Sequence, residues 1–444
     1  MIDMTKGSPN KLILSFAMPM IIGNIFQQVY NVVDTVVVGK FVGTNALAAV
    51  GSSFSIIVFI NSIIIGLCMG SGVILSQFYG SKDMEKLKKS IVSSFVFIMG
   101  ITVVLMVISL MFIDSILILF NMPVEIIYDA KIYLVIIIWG LFFTFLYNAA
   151  ACLLRAVGDS KRPLYFLIVA AIINVVLDLV FVLVFNLGVM GVALATIIAQ
   201  GVSAIISIIY AYKKLPFLKF TKEDLKIDIE SFKVTAKYAT LTSLQQSLMN
   251  FGILIVQGLV NTFGLTVMAA FAAGVKIDSI AYMPVQDFGN AFSTYVAQNK
   301  GAGKLDRVRE GVKCSIKTII IFSAVTSTLI FLFSEKLMTL FVNKTEVEVI
   351  SLGVEYIRVV AVFYVLVAFL FMFYGLYRGM GYLNMSIALT VVSLGSRVIL
   401  AYILSKTSLG ASGIWWSIPI GWALADILGI IVYIKIYKGN RKIS

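Results

Sequence analysis

Twelve times along this chain a run of about twenty or more residues passes almost without a charge. The runs are roughly 12–38, 46–76, 90–113, 132–154, 163–186, 190–212, 235–262, 267–297, 314–333, 356–377, 384–405 and 411–434. Each matches the ~20 apolar residues that a helix needs to cross a bilayer. Only helices and closed barrels satisfy their own backbone in lipid, and runs this long and unalternating exclude a barrel. The composition agrees: 13% of residues are charged and 60% hydrophobic, where a soluble domain carries about 25% charged. The expected fold is an all-α polytopic membrane protein with twelve transmembrane helices. The first apolar run is too long for a cleavable signal, so it is expected to direct insertion itself.

The excess charge of +13 is topological. Loops assigned alternately to two sides leave only Lys40, Lys131, Lys336, Lys344, Arg358 and Lys406 on one of them. The other side collects Lys82, Lys86, Lys88 and Lys89, then Arg155, Lys161 and Arg162, the 213–237 and 300–313 segments, and a tail with Lys438, Arg441 and Lys442. The positive-inside rule makes both termini cytoplasmic and the expected location the plasma membrane. A nucleic-acid partner is excluded because no soluble domain carries the charge. The chain has no His, and Cys68, Cys152 and Cys314 are far apart in sequence. No disulfide framework, zinc site, cofactor or His-based proton relay is expected.

Shifting the chain by 221 to 223 residues superimposes its halves. Residues 76–91 (SQFYGSKDMEKLKKSI) lie over 297–312 (AQNKGAGKLDRVREGV), aligning Gln77 with Gln298 and Gly80 with Gly301. Arg155 and Gly158 align with Arg378 and Gly381, Gly188 with Gly410, and Gly43 with Gly264. Two repeats of six helices in the same orientation are related by a pseudo-two-fold axis along the membrane normal. The expected domains are an N-lobe over 1–212, a solvated linker over 213–237 and a C-lobe over 238–444. Two such lobes are how a carrier builds a midplane site between rocking halves.

The polar residues inside the spans carry the chemistry. In the first run Asn24, Gln27 or Gln28, Asn31 and Asp34 recur at three- to four-residue spacing, which places them on one helix face. An acid at bilayer depth costs about 2.5–3.5 kcal/mol, so Asp34 marks a functional site. In the fifth run Asn174 and Asp178 are four apart on one face, and Thr196 follows in the sixth. Two carboxylates, an amide oxygen and a hydroxyl are hard ligands for a small cation, or carriers of a shared proton. The repeat offers no acids opposite these positions. The second half instead carries Lys276, Asp278 and Arg397, which read as a charge pair, a gate or a substrate contact. No catalytic constellation is present, and an enzyme is not expected.

Two six-helix repeats, with QQVYNVVDTVVVG in the first helix, NVVLD in the fifth, and Gly80 and Gln298-x-x-Gly301-Ala302-Gly303 after the second and eighth, resemble the MATE family of multidrug and toxic compound extrusion antiporters. The resemblance implies two helical bundles forming a V-shaped cleft and export of small organic cations coupled to Na⁺ or H⁺. It places Asp34, Asn174, Asp178 and Thr196 on the cation-site positions of the DinF-like branch, and Tyr133 and Asn148 on cavity positions beside Gln28 and Asn31. The acids of the NorM-like branch in the seventh and tenth helices are missing from the span cores. A flippase for a lipid-linked oligosaccharide or similar substrate is the alternative. The bilayer is the expected surrounding, and nothing in the sequence demands more than a monomer.

Overall fold

The structure is a computed structural model that describes residues 2–120 and 122–440. Among the described residues the chain forms fourteen α-helices and no strand. In order these are α1 (Pro9–Val37), α2 (Thr44–Ser81), α3 (Met84–Met111), α4 (Ile113–Leu119), α5 (Ile127–Ala156), α6 (Lys161–Leu179) and α7 (Gly188–Lys214). The second half holds α8 (Ile229–Asn261), α9 (Leu265–Gly301), α10 (Leu305–Met338), α11 (Val347–Val362), α12 (Tyr364–Gly379), α13 (Leu383–Leu404) and α14 (Ala411–Asn440). Ten helical segments are long and apolar enough to cross a membrane, and α11 with α12 forms an eleventh span bent by 53°. The twelfth, α8, is long enough at 33 residues but interrupts its apolar face with Gln245, Gln246, Asn250 and Gln257. Every apolar run of the sequence therefore lies on a helix, with short α4 the one helix outside the twelve. Arg441 and Lys442 of the basic tail fall outside the described residues.

The chain divides into two compact units. The first comprises Met1–Met4 and Met18–Gln246, the second Thr5–Ala17 and Ser247–Ser444. Two helices thus change units along their length: α1 between Ala17 and Met18, next to Pro19, and α8 between Gln246 and Ser247. Proline removes a helical hydrogen bond, so α1 is weakest beside the point where it changes units. In the first unit Gly66 and Gly70 of α2 let the start of α8 approach. A Cβ on Gly70 would lie 2.2 Å from the Tyr238 carbonyl oxygen, and one on Gly66 2.5 Å from Ser243 Cα. Small residues four apart do the same in the second unit, where a Cβ on Gly375 of α12 would lie 2.4 Å from the Gly289 carbonyl oxygen of α9.

The repeat is visible in the backbone. Gly43 and Gly264 precede α2 and α9 at φ of 121° and 90°, Gly158 and Gly381 follow α5 and α12 at 87° and 78°, and Gly188 and Gly410 stand at 54° and 52°. These are aligned glycines of the two halves, holding the left-handed backbone that a Cβ disfavours.

The 213–237 segment, expected to be a solvated linker, is exposed over most of 219–230 and packed at its start. Leu215 and Leu218 are buried against Leu75 and Leu87, and Asp224 accepts a hydrogen bond at 2.8 Å from Lys88 Nζ. Leu215 and Leu218 dock its start on the first unit and Lys88 of α3 holds Asp224, while Leu225, Ile227 and Ile229 stay exposed.

Candidate cation-coupling site

Three helices of the first unit bring their polar residues to one place. Asp34 lies one turn after Tyr30 on α1, Asn174 and Asp178 one turn apart on α6, and Thr196 on α7. Asn174, Asp178 and Thr196 are all buried, at 1%, 0% and 8% exposure. The Asp34 and Asp178 carboxyls are within hydrogen-bonding reach of each other, and the Tyr30 hydroxyl stands beside Asp34. In the amide orientation that satisfies its neighbours, Asn174 Nδ2 donates to Asp34 Oδ1 at 2.9 Å and to Asp178 Oδ2 at 3.3 Å. Its oxygen then accepts from the Thr196 backbone N–H at 3.2 Å. Turned the other way, Nδ2 donates to Thr196 Oγ1 at 3.4 Å and the amide oxygen faces both acids. Thr196 Oγ1 also donates to the Val192 carbonyl at 3.0 Å, which holds its rotamer along α7. Asp178 Oδ1 is buried with no hydrogen-bond partner among the described residues.

The sequence places these groups through two turns of π-helix. Val38–Val42 follows Asp34 and Val180–Val184 follows Asp178, each wound wider by one residue. Val38 and Val42 of the first turn and Val182 of the second pack in one apolar cluster with Val37, Val189 and Val192. Gly191 on α7 has no room for a side chain beside Phe181, where a Cβ would meet Phe181 Cβ at 2.9 Å. Such π-turns recur at functional sites because they re-aim the residues beside them.

The remaining residues singled out in the sequence distribute unevenly. Tyr133 on α5 lies beside both acids and borders the Val38 cluster. Asn148 instead turns onto its own helix, donating to the Thr144 carbonyl at 2.8 Å. Gln28 is exposed and Asn31 half-buried on α1. In the satisfied orientation Asn174 presents its N–H to the acids, because two adjacent carboxyls are themselves acceptors; in the other orientation its oxygen faces them. Tyr30 was not singled out, although its four-residue spacing from Asp34 carries the signal. In the second unit Lys276 is exposed, with Nζ 6.0 Å from the Phe341 ring centroid, and stands apart from Asp278 and Arg397. Asp278 and Arg397 lie near each other but form no ion pair within 4.0 Å among the described residues.

A sequence model of the MatE family matches residues 19–180 and again 241–403. The chain belongs to the MatE family. These are the multidrug and toxic compound extrusion transporters, which are not enzymes. The two matches begin 222 residues apart, at 19 and 241, in the register of the internal repeat. Among curated MATE relatives, the probable multidrug resistance protein YoeA of Bacillus subtilis is 30% identical over 96% of this chain and 94% of its own length. The probable multidrug resistance protein YpnP of the same organism is 29% identical over 88% and 87%. Among solved structures, a MATE transporter in complex with MaL6 superimposes with a TM-score of 0.92 at 25% identity, covering 99% of each chain. The MATE architecture of twelve helices in two bundles is thus that of this multi-pass membrane protein.

Proposed function

We propose that this protein is a cation-coupled antiporter, driven by Na⁺ or H⁺, that exports small organic cations across the plasma membrane by alternating access. Both termini are cytoplasmic in this reading, because the basic loops collect on that side. The observation that carries it is the contact between Asp34 and Asp178, tied together by Asn174 within one apolar unit. Two touching carboxyls in a low dielectric do not both stay charged; they share one proton or hold one small cation. With a proton, Asn174 keeps its N–H on the pair. With Na⁺, its amide turns so that the oxygen joins both acids, and the unpartnered Asp178 Oδ1 completes the ligand set.

Transport then follows from linkage. Loading from outside neutralises the pair and weakens the hold on the exported cation; release to the cytoplasm restores that charge. By reciprocity the cargo weakens cation binding by the same factor. The names of the multidrug resistance relatives agree with drug efflux as the task. The test is ethidium efflux from proteoliposomes under an imposed Na⁺ or H⁺ gradient, with wild type, Asp34→Asn and Asp178→Asn. Gradient-driven efflux lost in both variants supports the reading, and the effective gradient names the ion. Efflux that survives both substitutions overturns it, and no efflux under either gradient shifts the weight to a flippase.

A further inference from the structure

The second unit holds a pair of opposite charges that this coupling scheme does not use. Asp278 on α9 and Arg397 on α13 are both half-buried. They lie close enough to act on one another electrostatically, yet they do not meet. Unpaired charges at membrane depth are costly, so a pair that could close would do so. Asp278 is engaged elsewhere: the Tyr356 hydroxyl of α11 donates to its Oδ2 at 3.4 Å, and the Tyr364 hydroxyl of α12 faces the same carboxylate without reaching hydrogen-bond geometry. Tyr356 is fixed from behind by Trp415, edge-on at 5.1 Å, and Trp415 stacks on Phe271 at 5.5 Å with planes 7° apart. On the other side, Gly421 of α14 lies against Arg397, whose Cβ is 3.2 Å from where a Gly421 Cβ would stand.

Between these fixed partners, polar atoms of opposite kind are left over. Asp278 Oδ1 and Arg397 Nε are each buried without a hydrogen-bond partner, and Arg397 makes no hydrogen bond among the described residues. An acceptor and a cationic donor left open within electrostatic range of each other call for a ligand with the reverse pattern. A guanidinium offers a planar fork that suits a carboxylate, and a carboxylate accepts from a protonated or quaternary nitrogen.

We propose that Arg397 and Asp278 are the two poles of a ligand site in the second unit that selects amphoteric organic compounds, Arg397 taking the carboxylate and Asp278 the cationic nitrogen. This rests on the export reading, whose cargo it narrows to molecules bearing both charges. Lys276, turned to Phe341, takes no part. Tyr356 holds Asp278 in place, and the half-buried Tyr282 stands near both poles.

The test uses a matched pair of dyes, rhodamine 110, which carries a free carboxylate, and rhodamine 123, its methyl ester. Binding of each to the purified full-length protein in lipid nanodiscs is read by fluorescence anisotropy. Wild type is expected to bind rhodamine 110 about tenfold or more tightly than the ester, the scale of one charged hydrogen bond. Arg397→Gln should bring the affinity ratio to about one, Arg397→Lys should keep part of the preference, and Asp278→Asn should weaken both dyes together. Absence of a preference in wild type, or a ratio unmoved by Arg397→Gln and Arg397→Lys, overturns the proposal. Gradient-driven efflux of rhodamine 123 in the same lipids reports separately on the antiport reading, so a retained preference without efflux would defeat that reading alone.

Discussion

In the amide orientation that satisfies its neighbours, Asn174 on α6 reaches Asp34 on α1 with Nδ2 2.9 Å from Oδ1, so a single amide joins the acids of two helices. A hydrogen bond to a charged group contributes about 1.5–3 kcal/mol. Asn174→Ala should therefore shift the half-saturating Na⁺ concentration, or the half-activating pH, by about tenfold or more while leaving assembly intact. Ion titration of ethidium efflux measures it. An unchanged titration would remove Asn174 from the coupling site.

If Asp178 holds the coupling ion, that ion stabilises the folded protein. A ligand at 100 times its Kd adds about 2.7 kcal/mol. Thermal unfolding in detergent should move upward with added NaCl relative to choline chloride in wild type and stay put in Asp178→Asn. Equal shifts in both proteins would show that the salt acts elsewhere.

The approach of α2 to α8 depends on the missing side chain at Gly70, where a Cβ would stand 2.2 Å from a backbone oxygen. Backbone does not yield as a flexible side chain does. Gly70→Ala should cost about 1–3 kcal/mol by overpacking, seen as a lower melting temperature in detergent. Gly100→Ala, with nothing beyond its own stretch of helix within 4 Å of its would-be Cβ, is the control and should melt no lower than wild type.

Outside the membrane, Lys88 and the Thr221 backbone hold the Asp224 carboxyl down at about 2. A carboxyl with a lowered folded value contributes stability above its unfolded value of about 3.9 and loses it as pH falls through the folded one. The melting temperature of Asp224→Asn should lie below wild type at pH 7, and the two curves should converge between about pH 4 and pH 2. A gap that persists to pH 2 would assign the loss to packing rather than charge.

Asp426 on α14 is buried at 5% exposure, and neither carboxyl oxygen has a hydrogen-bond partner among the described residues. A buried unsatisfied polar group costs about 1–3 kcal/mol. Asp426→Leu should raise the melting temperature in detergent. A lowered one would mean that the acid is paired with a bound ion or water.

Much of this was legible in the chain itself. Helices of membrane proteins must satisfy their backbone internally, so twelve apolar runs dictate helices wherever they occur, and each run lies on one. The repeat was legible because glycines such as Gly188 and Gly410 are required by the backbone, and backbone requirements leave fixed letters. Asp34, Asn174 and Asp178 stood out because polar groups in lipid are costly wherever they sit. What α8 is was less clear, since its amides dilute the apolar signal, and the docking of Leu215 and Leu218 was hidden within a charged segment.

Tertiary structure decided the rest. Which way the Asn174 amide turns depends on two carboxyls brought from separate helices, and four-residue spacing on α6 says nothing about that. Tyr30 and Tyr133 join the acids, while Asn148 turns back on its own helix, because a side chain's partner is fixed by what faces it across a packed interface. The same holds for Asp278 and Arg397, which sequence alone would pair. Tyr356, backed by Trp415, holds the carboxylate while Arg397 stays apart, and only packing among four helices keeps the two charges from closing. Sequence determines what must be buried and what is costly there; packing determines which costly group meets which.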